Sequence, residues 1–172
     1  MLTLLLRVTT FKQNYMISIK RTTSDDLDFQ ELVSLLDQDL AIRDGEEHSF
    51  YAQFNKIDKI KQAVVAYKEN LPIGCGALKG YVERTAEIKR MFVKPEYRGL
   101  GIGHLILKEL ELWAAELNYA DCILETGKKQ PEAIRLYQKA GYTLIPNYGQ
   151  YKNIENSVCM KKMISPNGGS TT

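Results

Sequence analysis

Residues 98–103, RGLGIG, carry the densest chemical signal in the chain. Gly99, Gly101 and Gly103 stand at alternate positions, Arg98 precedes them, and an apolar helical pattern follows. Glycine near a helix start costs conformational entropy, so something must return it. The first N–H groups of a helix lack internal partners, and the helix dipole places positive potential there. Phosphate binds such a terminus, and missing Cβ atoms let a pyrophosphate approach the main chain. The segment points to a phosphate-bearing ligand, with a plain turn as the structural alternative. Neither common nucleotide motif is present: there is no Gly-x-x-x-x-Gly-Lys-Ser/Thr, and the spacing is not G-x-G-x-x-G.

Nucleophilic and metal chemistry find less support. Cys75, Cys122 and Cys159 each lie in an apolar, strand-like run, without metal-ligand spacing to another Cys or His. A catalytic thiol needs a base, and His48 and His104 form no recognisable Cys/His signature. Buried thiols in a reducing cytoplasm are the expectation, with no metal.

The elements that must position the glycine run can be read from periodicity. Residues 17–20 alternate apolar and polar, as a strand does. Ser24 then precedes DDLDFQELVSLLDQDL, an N-cap followed by first-turn acids. A loop or short helix runs through AIRDGEEHSFYAQFNKID. QAVVAY and PIGCGALKGY flank the turn signal KENL, a hairpin pattern. Thr85–Val93 reads as the strand entering the glycine run. After it, Ile102, Leu105, Ile106, Leu110, Trp113, Ala114 and Leu117 make one apolar helical stripe. ADCILET is a strand, and Pro131 and Gly141 bracket a short helix. YTLI and NSVCMKK close the domain as strands. This order predicts a mixed α/β (α+β) fold, a mostly antiparallel sheet with helices packed on it.

Two stretches together resemble one known family. VKPEYRGLGIG resembles the acyl-CoA loop of the GCN5-related N-acetyltransferase (GNAT) superfamily, R/Q-x-x-G-x-G/A, at Arg98, Gly99, Leu100, Gly101, Ile102 and Gly103. QPEAIRLYQKAGY resembles its N-x-x-A-x-x-L-Y-x-x-x-G-F/Y helix at Gln130, Ala133, Leu136, Tyr137, Gly141 and Tyr142. Gln130 departs from the usual Asn, keeping the amide on a longer arm. The resemblance spans residues 17–162.

The resemblance implies the GNAT fold: about seven strands, with a splay after the fourth. It implies acetyl-CoA as co-substrate, its pyrophosphate on the backbone of Arg98 to His104. The pantetheine arm would lie along Met91, Phe92 and Val93, where a backbone N–H would stabilise the oxyanion. Gln130, Ala133 and Tyr137 complete the expected cofactor contacts. The acceptor would be a small-molecule or peptide amine, attacking directly in a ternary complex. Alkyl amines titrate near ~10, so a base must take a proton first. Glu87, early on the strand before the loop, is the expected base, and an exposed strand carboxylate paired with Arg84, Lys89 or Arg90 is the alternative. Glu125 competes for the role. Tyr137 is the expected acid for the departing thiolate, with a core aromatic as the alternative. Acids Asp37, Asp39, Asp44, Glu46 and Glu47 cluster where this family lines its acceptor pocket, and Tyr148 and Tyr151 sit in a late loop that could reach it. A homodimer is compatible with family analogy. The rival readings are a non-catalytic acyl-CoA sensor of the same fold and an interaction module with a structural glycine turn.

Composition agrees with one soluble domain. The chain has 172 residues and a formal net charge of +2, too small to argue for nucleic acid. Charged residues interrupt every apolar run before it could span a membrane. MLTLLLRVTTFKQNY lacks a small-residue cleavage site, so residues 1–15 are expected to be an extension outside the fold. Residues 16–164 form the expected domain, and PNGGSTT within residues 165–172 a disordered tail.

Overall fold

A computed structural model describes residues 7–10, 16–52 and 60–164. Eight strands form one sheet: β1 Arg7–Thr10, β2 Met16–Thr22, β3 Gln62–Lys68, β4 Leu71–Val82, β5 Thr85–Val93, β6 Asp121–Gly127, β7 Thr143–Ile145 and β8 Ser157–Met163. Their spatial order is β1-β2-β3-β4-β5-β6-β8-β7. Every pairing is antiparallel except β5 with β6. The described residues include four α-helices, α1 Leu27–Asp44, α2 His48–Ala52, α3 Ile102–Glu116 and α4 Pro131–Lys139, of which α1 and α3 pack on opposite faces of the sheet.

Two expectations change. Part of the segment expected outside the fold pairs with it: Arg7–Thr10 adds to the edge of β2, Arg7 opposite Ile19 and Thr10 opposite Met16. An edge strand leaves unpaired N–H and C=O groups, and a neighbouring segment of the same chain satisfies them. The N-cap of α1 is Asp26, not Ser24: its carboxylate accepts from the Asp28 and Phe29 N–H groups. Lys20 and Thr22 also donate to Asp26, fastening the helix start to β2. The expected tail lies outside the described residues.

Strand alternation sends side chains to two cores. Val64 and Ala66 of β3 join Ile106, Leu107 and Leu110 of α3 on one face. Ala63 and Val65 join Phe29, Leu32, Val33 and Leu36 of α1 on the other. The sheet is therefore buried on both sides at its centre, which explains the near-continuous apolar run of β3.

The sheet opens between β5 and β6. β5 and β6 pair only from Thr85↔Asp121 to Ile88↔Leu124. Beyond Ile88, β5 stays with β4 while β6 continues with β8. This is the splay expected after the fourth strand, counting from β2. A bulge accompanies it: the β4 register passes from Cys75↔Phe92 to Ala77↔Lys89, and Arg90 has φ 57°. An arginine in the left-handed region is strained by about 1–2 kcal/mol.

Candidate active site

The glycine run joins β5 to α3 through a single 3-10 turn at Pro95–Tyr97. Gly99 and Gly101 have φ of 77° and 80°, values that an L-residue with a side chain resists. Gly103 serves another purpose: a Cβ there would meet Leu136 Cδ2 at 3.2 Å, so its absence seats α4 against α3. The first internal bond of this helix runs from the Leu105 N–H to the Gly101 carbonyl. The N–H groups of Ile102, Gly103 and His104 precede it and have no place in the helical ladder. His104 and Leu100 are exposed beside them. Arg98 does a different job from its neighbours. Its own N–H is bound to the Pro95 carbonyl, its Nε donates to the Val93 carbonyl at 2.8 Å, and its guanidinium lies over Phe92. These residues fit a pyrophosphate at the helix start and an extended arm along the open edge of 91–93.

A cavity of about 90 Å³ lies at the splay. Its floor is sheet: Lys89, Arg90 and Met91 of β5, with Glu125, Thr126 and Gly127 of β6. Leu36, Leu40 and Asp44 of α1 roof it, and Gln130, Tyr137 and Tyr151 close its sides. Of the expected site residues it therefore brings together Met91, Gln130 and Tyr137. Phe92 is buried in the α1 core, and Val93 and Ala133 pack against the α3 core.

The two candidate bases separate here. Glu87 pairs with Ile123 across the parallel strands, and Glu125 lies two residues further along, so both carboxylates share the α1 face. Only Glu125 lines the cavity. Glu87 is buried behind it, accepting from the Tyr148 hydroxyl at 2.8 Å with Lys89 Nζ at 3.6 Å. Burial pushes the Glu125 carboxyl up to about 7, helped by the charges of Glu87 and Asp44. The Ser157 hydroxyl, donating at 2.7 Å, and Lys89 oppose that rise. Burial, with the Glu125 charge, also pushes the Tyr137 phenol above its ordinary range, so it holds its proton at neutral pH. All three thiols are buried and pushed up by burial, and no metal-binding cluster occurs among the described residues.

The acidic segment divides its labour. Asp44 alone lines the cavity, and burial raises its carboxyl. Asp37 pairs with Arg90 at 2.5 Å, and Asp39 with Arg43 and Arg98. Arg43 also pairs with Glu132 and donates to the Lys129 carbonyl, tying the end of α1 to the start of α4. Glu47 lines a separate surface groove with Lys129 and Asn156. Sequence reading missed Lys89 and Arg90 as cavity residues; their signal was a bulge, which only the register with β4 reveals.

Residues 29–142 match the family model described as "Acetyltransferase (GNAT) family". An "IAA acetyltransferase" of Azospirillum brasilense is 36% identical over 100 residues, covering 58% of this chain and 65% of that protein. The chain spans less than two thirds of the length of the curated relatives it first matches, 57% and 37% for the next two. A solved structure described as a putative acyl-CoA N-acyltransferase from Klebsiella pneumoniae superposes with a TM-score of 0.73 at 25% identity, covering 86% of this chain and 97% of that one. The PaiA N-acetyltransferase of Thermoplasma acidophilum, solved with coenzyme A, superposes at 0.64 and 20% identity, covering 86% and 98%. The motifs, the splayed sheet and the family match agree: the chain belongs to the GNAT acetyltransferase family.

Proposed function

We propose that the protein is an N-acetyltransferase that moves the acetyl group of acetyl-CoA to a primary amine by direct attack in a ternary complex. One observation carries the reading: Glu125, a carboxyl raised to about 7, and Tyr137, a phenol that keeps its proton at neutrality, line the same cavity at the splay. Acetyl-CoA supplies an activated acyl group. The N–H groups at the start of α3 hold its phosphates, with Gln130 beside the arm. Glu125 replaces Glu87 as the base, because it reaches the cavity and titrates near neutrality. Glu87 acts through it, as the neighbouring charge that lifts its carboxyl. Protons balance as follows. The ammonium gives one proton to Glu125, the N–C bond forms as C–S breaks, Tyr137 protonates the sulfur, and the second amine proton resupplies Tyr137.

Thiol release across an amine panel tests this. Turnover should rise with pH through about 7, following Glu125. Glu125→Gln should lower kcat roughly 100-fold or more while acetyl-CoA still binds. Glu87→Gln should keep activity and move the acid limb to lower pH, since it removes a charge that raises Glu125. Coenzyme A binding with no turnover on any amine would instead favour a sensor of the same fold.

A further inference from the structure

Arg90 is the costliest residue near the cavity. Its side chain is 2% exposed, its backbone is left-handed, and it sits between sheet and helix. Without the bulge, alternation would send residue 90 toward α3 with Ala86 and Ile88. The bulge turns it onto the α1 face, beside Lys89 and above β6. Asp37 of α1, whose own side chain is 48% exposed, holds one end of the guanidinium through Nη2. The Arg90 Nε–H is buried and has no hydrogen-bond partner among the described residues. A buried donor without a partner is expensive, and in a functional cavity it marks a place for a ligand acceptor.

The opposite charge stands across the same cavity. Asp44, 8% exposed, comes from the last turn of α1 and Glu125 from β6. The nearest cation-forming partner of Asp44 is His48 Nδ1 at 3.9 Å, too long for a good hydrogen bond. The cavity is thus lined by carboxylates that can hold an ammonium and by a guanidinium whose buried Nε–H has no partner among the described residues. A polyamine would bring its second ammonium toward Arg90 and Lys89. A lysine side chain or peptide N-terminus would bring no anion at all.

We propose that the acceptor is a compact α-amino acid, its ammonium between Asp44 and Glu125 and its carboxylate on the Nε–H of Arg90. This rests on the transferase reading above. The amino acid's ammonium then answers Asp44 and Glu125, and its carboxylate takes the Arg90 Nε–H that Asp37 leaves unpaired. The product is the N-acetyl amino acid.

The test uses matched acceptors on the wild-type protein: glycine, alanine and serine, their amides, their decarboxylated amines, and a peptide with a free N-terminus. The expected result is kcat/KM for the free amino acid at least about tenfold above its amide and its decarboxylated amine. Arg90→Gln should close that gap through the amino-acid KM, with the acetyl-CoA KM unchanged. Equal or better turnover of the amides, amines or peptide overturns the proposal and leaves the transferase standing. If no acceptor releases thiol, the transferase reading falls. Calorimetric binding of the free amino acid with coenzyme A present, in wild type and Arg90→Gln, then decides the subsite alone. Binding that does not depend on Arg90, or no binding, overturns it. Should Arg90→Gln fail to fold, the wild-type acceptor series still decides.

Discussion

At the scale of single residues, Glu125 sets activity against stability. Its carboxyl is raised from 4.5 to about 7 in the fold, chiefly by burial. Between those values the unfolded chain has lost the proton that the folded chain keeps. Stability therefore falls as pH rises through this window, and the penalty is complete above about 7. Glu125→Gln should remove it. The variant should be more stable than wild type by roughly 1–3 kcal/mol at pH 8 and equal to it near pH 4, as read by urea denaturation. An unchanged difference across that range would mean that Glu125 is not buried as described. Tyr137 makes the complementary case. Its phenol keeps its proton through neutrality, so Tyr137→Phe should slow the single-turnover rate roughly 10- to 100-fold with little change in acetyl-CoA KM. An unchanged rate would return Tyr137 to the role of a core aromatic, which its place in the α3 core already supports.

At the scale of elements, the loop glycines do two separable kinds of work. A Cβ on Gly99 would meet nothing within 4 Å, yet its φ is 77°. Gly99→Ala should cost about 1–2 kcal/mol from backbone strain. It should also raise the acetyl-CoA KM, because the backbone shifts where phosphate would bind. Gly103→Val pushes instead on Leu136, the residue before Tyr137 on α4. Overpacking costs about 1–3 kcal/mol and displaces that helix. Here kcat should fall more than acetyl-CoA KM rises, the reverse of Gly99→Ala. Steady-state kinetics on both variants check the contrast, and identical kinetic signatures would undo the division of roles. The strands and helices themselves are legible in periodicity and punctuation: Thr85–Val93 and the Pro131 and Gly141 boundaries stand as read, and so does the α3 stripe except Leu117, which caps the helix and is exposed. Ser24 competes for the N-cap in the sequence because Ser24, Asp25 and Asp26 are three good capping residues in a row. Only the anchoring of Asp26 by Lys20 and Thr22 decides between them.

At the scale of the molecule, what the sequence left unreadable is long-range register. The bulge at Arg90 shows in pairing with β4, and the reach of Glu125 over Glu87 shows in pairing with β6. One acid of five in this segment enters the cavity, while Asp37, Asp39 and Glu47 meet Arg90, Arg98 and Lys129, all distant in sequence. Local pattern finds the elements; it does not say which side chains a splay between strands distant in sequence brings together. The same sheet decides how the molecule unfolds. It carries two cores on opposite faces, with Leu110 fully buried on the α3 side and Leu32 on the α1 side. Leu110→Ala and Leu32→Ala should each cost about 2–5 kcal/mol. The two sites share no core cluster and lie across the sheet, so the double variant should be additive within about 0.5 kcal/mol. Trp113, the one tryptophan, packs against the α3 core beneath the Arg21 guanidinium. It reports from the face that Leu32 does not touch. If the sheet couples both cores into one cooperative unit, Leu32→Ala should shift the Trp113 fluorescence midpoint as far as the far-UV dichroism midpoint. A dichroism change that precedes the fluorescence change would mean that α1 unfolds alone, and that the roof carrying Asp44 is less stable than the sheet beneath it.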